Sequence, residues 1–269
     1  MSQLSIKEMI SAGVHFGHQS KYWNPKMKPY IFTTYNKLHI INLNKSVEQF
    51  NAATSFIEKL IKNNSKILFV GTKRAAREII YRHAIDVGMP YVNNRWLGGM
   101  LTNFDTVKKS IQKLEDLQKQ LDASKILDDM TKKEMLSVKK QIVKLEKNLD
   151  GIKKLEKLPD ALFVIDTRYE KIAIQEANKL NIPVIAVVDS NNSFDGVDYM
   201  IPGNDDSMSS IELFVSEISK VIKNNKVKTS PAKNENVSSA QKKSTRKKQV
   251  IDVKADKDLI ETKSDKTEK

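Results

Sequence analysis

Residues 66–80 read KILFVGTKRAAREII: an apolar run, a glycine, then Thr72, Lys73, Arg74 and Arg77 leading into a helical pattern. A strand that turns at a glycine into a helix start is the unit from which nucleotide-binding α/β domains are built. Gly71 is, however, the only glycine of the stretch. A phosphate loop needs G-x-x-x-x-G-K-[ST] and the dinucleotide fingerprint needs G-x-G-x-x-G, because several backbone amides must converge on the phosphates. What remains is a helix N-terminus with Thr72 as a candidate cap and three cations, suited to phosphate without a cradle for a small ligand. The alternative is that Gly71 only makes the turn and the cations are solvated.

Outward from this stretch the rhythm repeats. LHIINL (38–43), KILFVG (66–71), PYVN (90–93), ALFVID (161–166), PVIAVVD (183–189) and YMIP (199–202) are short apolar runs, and amphipathic patterns fill 45–62, 73–87, 170–180 and 207–223. Such runs read as buried strands of a parallel sheet, and the alternation predicts a doubly wound α/β sandwich with functional loops at the strand C-terminal ends. Between 104 and 158 the period changes. Apolar residues fall at 104, 107, 111, 114, 117 and 121, then at 135, 138, 142, 145, 149 and 152, a coiled-coil seam on two helices. This predicts an inserted antiparallel hairpin with arms of roughly 27 Å, and Thr131 and Glu134 have capping-box spacing for its second helix. After about Asn225 large apolar side chains almost vanish, so 226–269 is expected to be a disordered Lys-rich tail. The organisation read from the chain is therefore a basic arm (1–37), an α/β domain (38–103 and 159–225), the hairpin (104–158) and the tail.

The chain has no cysteine, which removes thiolate metal sites, disulfides and cysteine nucleophiles and fits a reducing compartment such as the cytoplasm. The opening residues do not read as a targeting segment, and no run reaches the roughly 18 apolar residues of a membrane span, so a soluble protein is expected. Net charge is +13 and unevenly spread. Residues 1–103 carry 14 basic and 5 acidic side chains (+9), whereas 159–225 carry 5 and 11 (−6). One basic half set against an acidic half points to a polyanionic partner on one side, a Lys-rich solubilising surface being the other reading.

Two further constellations bear on chemistry. NNRWLGGMLTNF (93–104) places Arg95 and Trp96 beside a Gly-Gly turn, and either stacks and bonds to RNA or, for Trp96, anchors the loop in the core. In AGVHFGHQSKYWNPKMKPYIFTTYNK (12–37) the lysines 21, 26, 28 and 37 interleave with Tyr22, Trp23, Tyr30, Phe32 and Tyr35, the pattern for irregular or single-stranded RNA. Pro25 and Pro29 suggest an extended segment. His15 and His18 form H-x-x-H, but with no thiolate and no carboxylate nearby in sequence a closed zinc site is not expected. Asp166, Asp189, Asp205 and Asp206 fall at or near strand ends, as turn caps or as an acidic site. No catalytic triad, nucleophile elbow or metalloprotease helix is visible.

Taken in order, AGVHFGHQSKYWNPKMKPYIF, NKLHIINLNKSV, KILFVGTKRAARE, NNRWLGGMLTNF, LPDALFVIDTRYEKIAIQEA, IPVIAVVDSN and VDYMIPGNDDS closely resemble the bacterial-type small-subunit ribosomal protein family conventionally numbered two, over about residues 3–223. The resemblance implies a flavodoxin-like α/β fold with an inserted coiled-coil hairpin and a place on small-subunit ribosomal RNA between head and body. It also implies docking of the mRNA-capturing ribosomal protein numbered one, and a role in late assembly. It points by position to His15, Phe16, His18 and Trp23, to Lys73 and Arg74, and to Arg95 through Asn103. With the readings above, the candidate RNA-binding set is His15, His18, Lys21, Trp23, Asn24, Lys26, Lys28, Lys37, Thr72, Lys73, Arg74, Arg77, Arg95, Trp96 and Asn103. No cofactor, metal or small-molecule substrate is expected. The sequence departs from the family pattern at Ser209, where relatives often carry a basic residue, and in the tail. A nucleotide-dependent enzyme on the same fold is the runner-up, and a coiled-coil scaffold the third reading.

Overall fold

The computed structural model describes residues 4–122 and 132–229. The hairpin tip with Thr131 and the Lys-rich tail beyond Thr229 lie outside them. Five all-parallel strands form the main sheet: β4 (Ile67–Val70), β5 (Tyr91–Val92), β6 (Ala161–Ile165), β7 (Val184–Val188) and β8 (Tyr199–Pro202), in the order β5-β4-β6-β7-β8. Counted along the chain that order is 2-1-3-4-5, the flavodoxin-like winding, with its switch point between β4 and β6.

Because side chains alternate across each strand, the apolar runs feed two cores. Ile67, Phe69, Phe163, Ile165, Ile185 and Val187 face helices α1 (Ile6–Ser11), α2 (Leu43–Lys62), α3 (Arg77–Val87) and α7 (Met208–Thr229). Leu68, Val70, Leu162, Val164, Ala186 and Val188 face α6 (Lys171–Lys179) and the bases of α4 (Phe104–Asp122) and α5 (Lys132–Leu149). On α4 and α5 the spacing of threes and fours is realised: Val107, Ile111, Leu114, Ile142 and Leu149 are buried, while the residues between them are mostly exposed. Helix α7 runs to Thr229, so residues 226–229 are helical where the tail was expected to begin.

One strand was assigned to the wrong sheet. Leu38–Ile41 (β3) pairs antiparallel with β1 (Phe16–Gln19) and β2 (Ile31–Tyr35) in a separate three-stranded sheet. Its apolar run is short and half-exposed because only one of its faces meets the domain. The arm is correspondingly not an extended segment. Pro25 opens a 3-10 turn over Pro25–Tyr30 that Asn24 caps by accepting from the Lys26 N–H, and Met27 on that turn is fully buried in the α6-side core. A proline at the first position of a turn forfeits no hydrogen bond.

Gly151, in the turn that returns from α5, lies directly against β5. A Cβ there would fall 2.0 Å from the Tyr91 carbonyl oxygen. Gly151→Ala should therefore destabilise the protein by about 1–3 kcal/mol through overpacking, read as a lower urea midpoint at unchanged m-value.

Candidate nucleic-acid interface

The crevice at the switch point, where relatives of this winding bind phosphate, is occupied by the protein itself. After β4 the chain makes a turn over 73–76, and α3 starts only at Arg77, with no side chain capping it. Thr72 is thus not the cap. Its buried N–H donates to Glu170 Oε1 at 2.6 Å, and Arg77 donates from Nε to the Thr72 carbonyl at 2.8 Å and from Nη2 to that of Asn94 at 3.4 Å. Burial raises the Glu170 carboxyl above the usual range against the pull of the Thr72 hydrogen bonds. An internal carboxylate takes the anion's place.

Lys73 is held just as firmly. Its Nζ lies 2.7 Å from Asp205, 2.5 Å from Asp206 and 3.2 Å from Asp166, residues that follow β8 and β6. Burial works against the ammonium charge, but these carboxylates outweigh it and hold the group well above its ordinary value. Asp205, fully buried, is pushed up to about 7 by burial and by Asp166 and Asp189, in spite of Lys73. Asp166 adopts φ 71° and accepts from the Arg168 and Tyr169 amides and from Asn192. His18 closes the cluster from the arm, with Nδ1 2.9 Å from Asp189 and Nε2 3.0 Å from Asp206; the Asp189 hydrogen bond, opposed by burial, raises its pKa. The H-x-x-H segment therefore does meet carboxylates, through His18, from 171 and 188 residues away. His18, Asp189, Asp205 and Asp206 bring ligand atoms within 4.8 Å of one another, a donor set geometrically able to hold a cation, with Lys73 Nζ already on two of its members. His15 stands outside that set. Its pKa is lowered by burial.

The NNRWLGGMLTNF loop is organised by a residue the sequence reading passed over. Glu176 on α6, buried, accepts from Trp96 Nε1 (3.1 Å), the amides of Gly99 (2.8 Å), Leu101 (3.0 Å) and Thr102 (3.2 Å), and the Thr102 hydroxyl (3.3 Å). Burial disfavours its charge, yet these donors outweigh that and depress its pKa. Trp96 is 7% exposed in the core, so it is an anchor and not a stacking surface for RNA. Asn103 accepts from the Thr106 hydroxyl at the start of α4. Arg95 stays exposed on the anchored loop, with no ion pair among the described residues. The signal for Glu176 was available only as an acid inside an otherwise apolar stripe of α6.

The arm's cations divide similarly. Lys26 pairs with Asp195 at 2.6 Å, whereas Lys28 and Lys37 are exposed without an ion pair among the described residues, and Lys21 sits 4.6 Å over the Tyr22 ring. Trp23 is tilted against the buried His39 ring at 5.5 Å. Asn24 braces the turn. The structure thus gathers Lys21, Lys28 and Lys37 on the arm and leaves Arg74 and Arg95 exposed on the strand-end loops, while Thr72, Lys73 and Trp96 are committed inside and Arg77, itself exposed, is engaged by the Thr72 and Asn94 carbonyls. Arg168, exposed after β6, is a further cation at these loops that the sequence reading did not single out.

The ribosomal protein S2 family model matches residues 9–225. The chain belongs to the ribosomal protein S2 family. It is 52% identical over 223 residues, covering 83% of this chain and 92% of the relative, to the small ribosomal subunit protein uS2 of Idiomarina loihiensis. As an S2 family member it is a structural ribosomal protein and not an enzyme, which disposes of the nucleotide-dependent runner-up. The match includes the arm from residue 9 onward, both strand-end loops and the 104–158 stretch.

Three outcomes follow from the buried charges. Glu176→Ala leaves several donors unsatisfied and should cost about 3 kcal/mol, with red-shifted tryptophan emission. Because the folded carboxyl lies below its unfolded value, the wild type's advantage over Glu176→Gln is present above about pH 4.3 and shrinks as pH falls below it. Lys73→Ala strands buried carboxylates and should cost about 3–5 kcal/mol, measured by denaturant unfolding at neutral pH.

Proposed function

We propose that this S2 family protein, a component of the small ribosomal subunit, holds small-subunit ribosomal RNA between head and body through its arm and its exposed strand-end cations. The observation that carries the reading is the arm itself. Between Glu8 and Glu48 there is no acidic residue, and that stretch holds five lysines and folds into a sheet with exposed rings. Phosphate neutralisation by such cations supplies sequence-independent affinity. Lys21, Lys28, Lys37, Arg74 and Arg95 make the contacts. His15, His18, Trp23, Asn24, Lys26, Thr72, Lys73, Arg77, Trp96 and Asn103 hold the surfaces that present them. The protein works on ribosomes in the cytoplasm, supports late assembly of the subunit and docks the mRNA-capturing ribosomal protein. The family membership and the curated relative support this reading of place.

The test is binding of the full chain to small-subunit RNA across a salt series. Arg74→Ala with Arg95→Ala should lower the slope of log K against log salt by about 1.5 with unfolding unchanged. Equal slopes for variant and wild type would remove these two residues from the interface, and sedimentation free of small subunits on a sucrose gradient would remove the protein from the particle.

A further inference from the structure

The edge of the main sheet where its strands begin, opposite to the loops described above, carries a cavity. Strand β4 starts after Lys66 and β5 after Pro90, and the 3-10 turn Asp150–Ile152 returns from α5 beside them. Between that turn and the C-terminal end of α3 lies an open cavity of about 400 Å³. Its floor is apolar: Met89, Tyr91 and Leu155 are buried there, and Ile85 adds a wall that is 52% exposed. Its rim is basic, with Lys66, Lys153 and Lys154. The one acid of the lining, Asp150, is already engaged, accepting from the Tyr91 hydroxyl at 3.1 Å and pairing with Lys153 at 3.1 Å. Lys66 and Lys154 are exposed and have no ion pair among the described residues. Lys226 on α7 brings one more positive charge to this end. Its Nζ donates to the Val87 carbonyl, a Cβ on Gly88 would lie 3.8 Å from it, and burial, then the Lys66 charge, lower its pKa. Like charges thus face one another across an apolar hollow.

We propose that this cavity docks an acidic polypeptide segment of a neighbouring small-subunit protein, one apolar side chain of the segment filling the hollow while its carboxylates meet the lysines. An apolar centre inside a polar rim is the anatomy of a protein interface, and an anchor side chain seated in such a pocket carries much of the binding energy. Charge sets the sign of the partner. With Asp150 engaged, Lys66 and Lys154 have to be matched from outside the chain, and complementary potential at a rim speeds association and rejects basic partners. RNA would use only half of the site. Phosphates would meet the lysines, but the ring in the lining, Tyr91, is 8% exposed with the Tyr81 ring against it at 5.5 Å, so no base stacks there and the apolar floor stays uncovered. The cavity is also preformed. Gly88 takes φ 62°, which lets α3 reverse into β5 within two residues, and Gly151 is locked against the Tyr91 carbonyl. Walls set in advance lower the ordering cost of binding. The source of the segment follows from the chain's place in the small subunit, and the inference does not depend on what the arm binds.

The experiment places a photoreactive benzoylphenylalanine at Glu156, which is exposed beside the rim and outside the cavity lining, in the full chain assembled into small subunits. Irradiation should join it to one segment of another small-subunit protein, identified by mass spectrometry, that carries several Asp or Glu residues around an apolar one. A synthetic peptide of that segment is then titrated by anisotropy against the full chain. Lys66→Glu with Lys154→Glu should weaken it roughly tenfold or more, and Ile85→Ala about fivefold, with thermal unfolding and affinity for small-subunit RNA as in the wild type. A copy of the peptide with its acids changed to Lys should prefer the double Glu variant. Cross-links to RNA alone, to a segment without acids, or to nothing overturn the docking site, as does a peptide that binds wild type and variants equally. Loss of RNA affinity in the double Glu variant without loss of peptide binding would assign the rim to RNA instead, and would leave the reading of the arm where it stands.

Discussion

The arrangement at the C-terminal edge of the sheet turns on one ammonium group. Lys73 leaves the loop after β4 and meets Asp166 after β6 and Asp205 and Asp206 after β8, so a single side chain ties three strand-end loops together. Buried carboxylates without a counter-charge would be prohibitive. With Lys73 present they order the edge, and the same cluster has acceptors left for His18, which draws the arm onto the domain. The small sheet owes its place to that clamp and to Met27 beneath it.

Filling the switch point changes what this winding can do. In a nucleotide-binding relative the amides after the first strand are left free for phosphate. Here the Thr72 amide is spent on Glu170 and the Thr72 carbonyl on Arg77. Glu176 similarly consumes the amides of the Gly-Gly loop, leaving none of them for an anion nest. Internal carboxylates thus take the places where a small anion would bind, and the cations left over point outward from a rigid surface. A rigid outward array suits a large, fixed polyanion, because less ordering free energy is lost on association.

Periodicity made much of this legible. Buried parallel strands are apolar along their whole length, and the seam of α4 and α5 shows its spacing of threes and fours, because both patterns are local consequences of which face is covered. The errors share the opposite cause. Lys73 and Thr72 looked like phosphate ligands because their partners lie 93–133 residues further along the chain. Trp96 stayed open between a stacking surface and a core anchor because the acid that claims its N–H lies 80 residues away. LHIINL was apolar enough to pass for a strand of the parallel sheet, and only its pairing with β1 and β2 shows otherwise.

The arm shows the other side of the same rule. Its chemistry was readable because it is defined by what is missing: with no acid between Glu8 and Glu48, the arm has no internal partners for Lys21, Lys28 or Lys37. Only distant residues could have neutralised them. One lysine, Lys26, does find such a partner in Asp195; the others do not among the described residues. An uncompensated cation in a folded protein is either solvated or meets an external anion, so what these lysines lack inside the chain has to come from outside it.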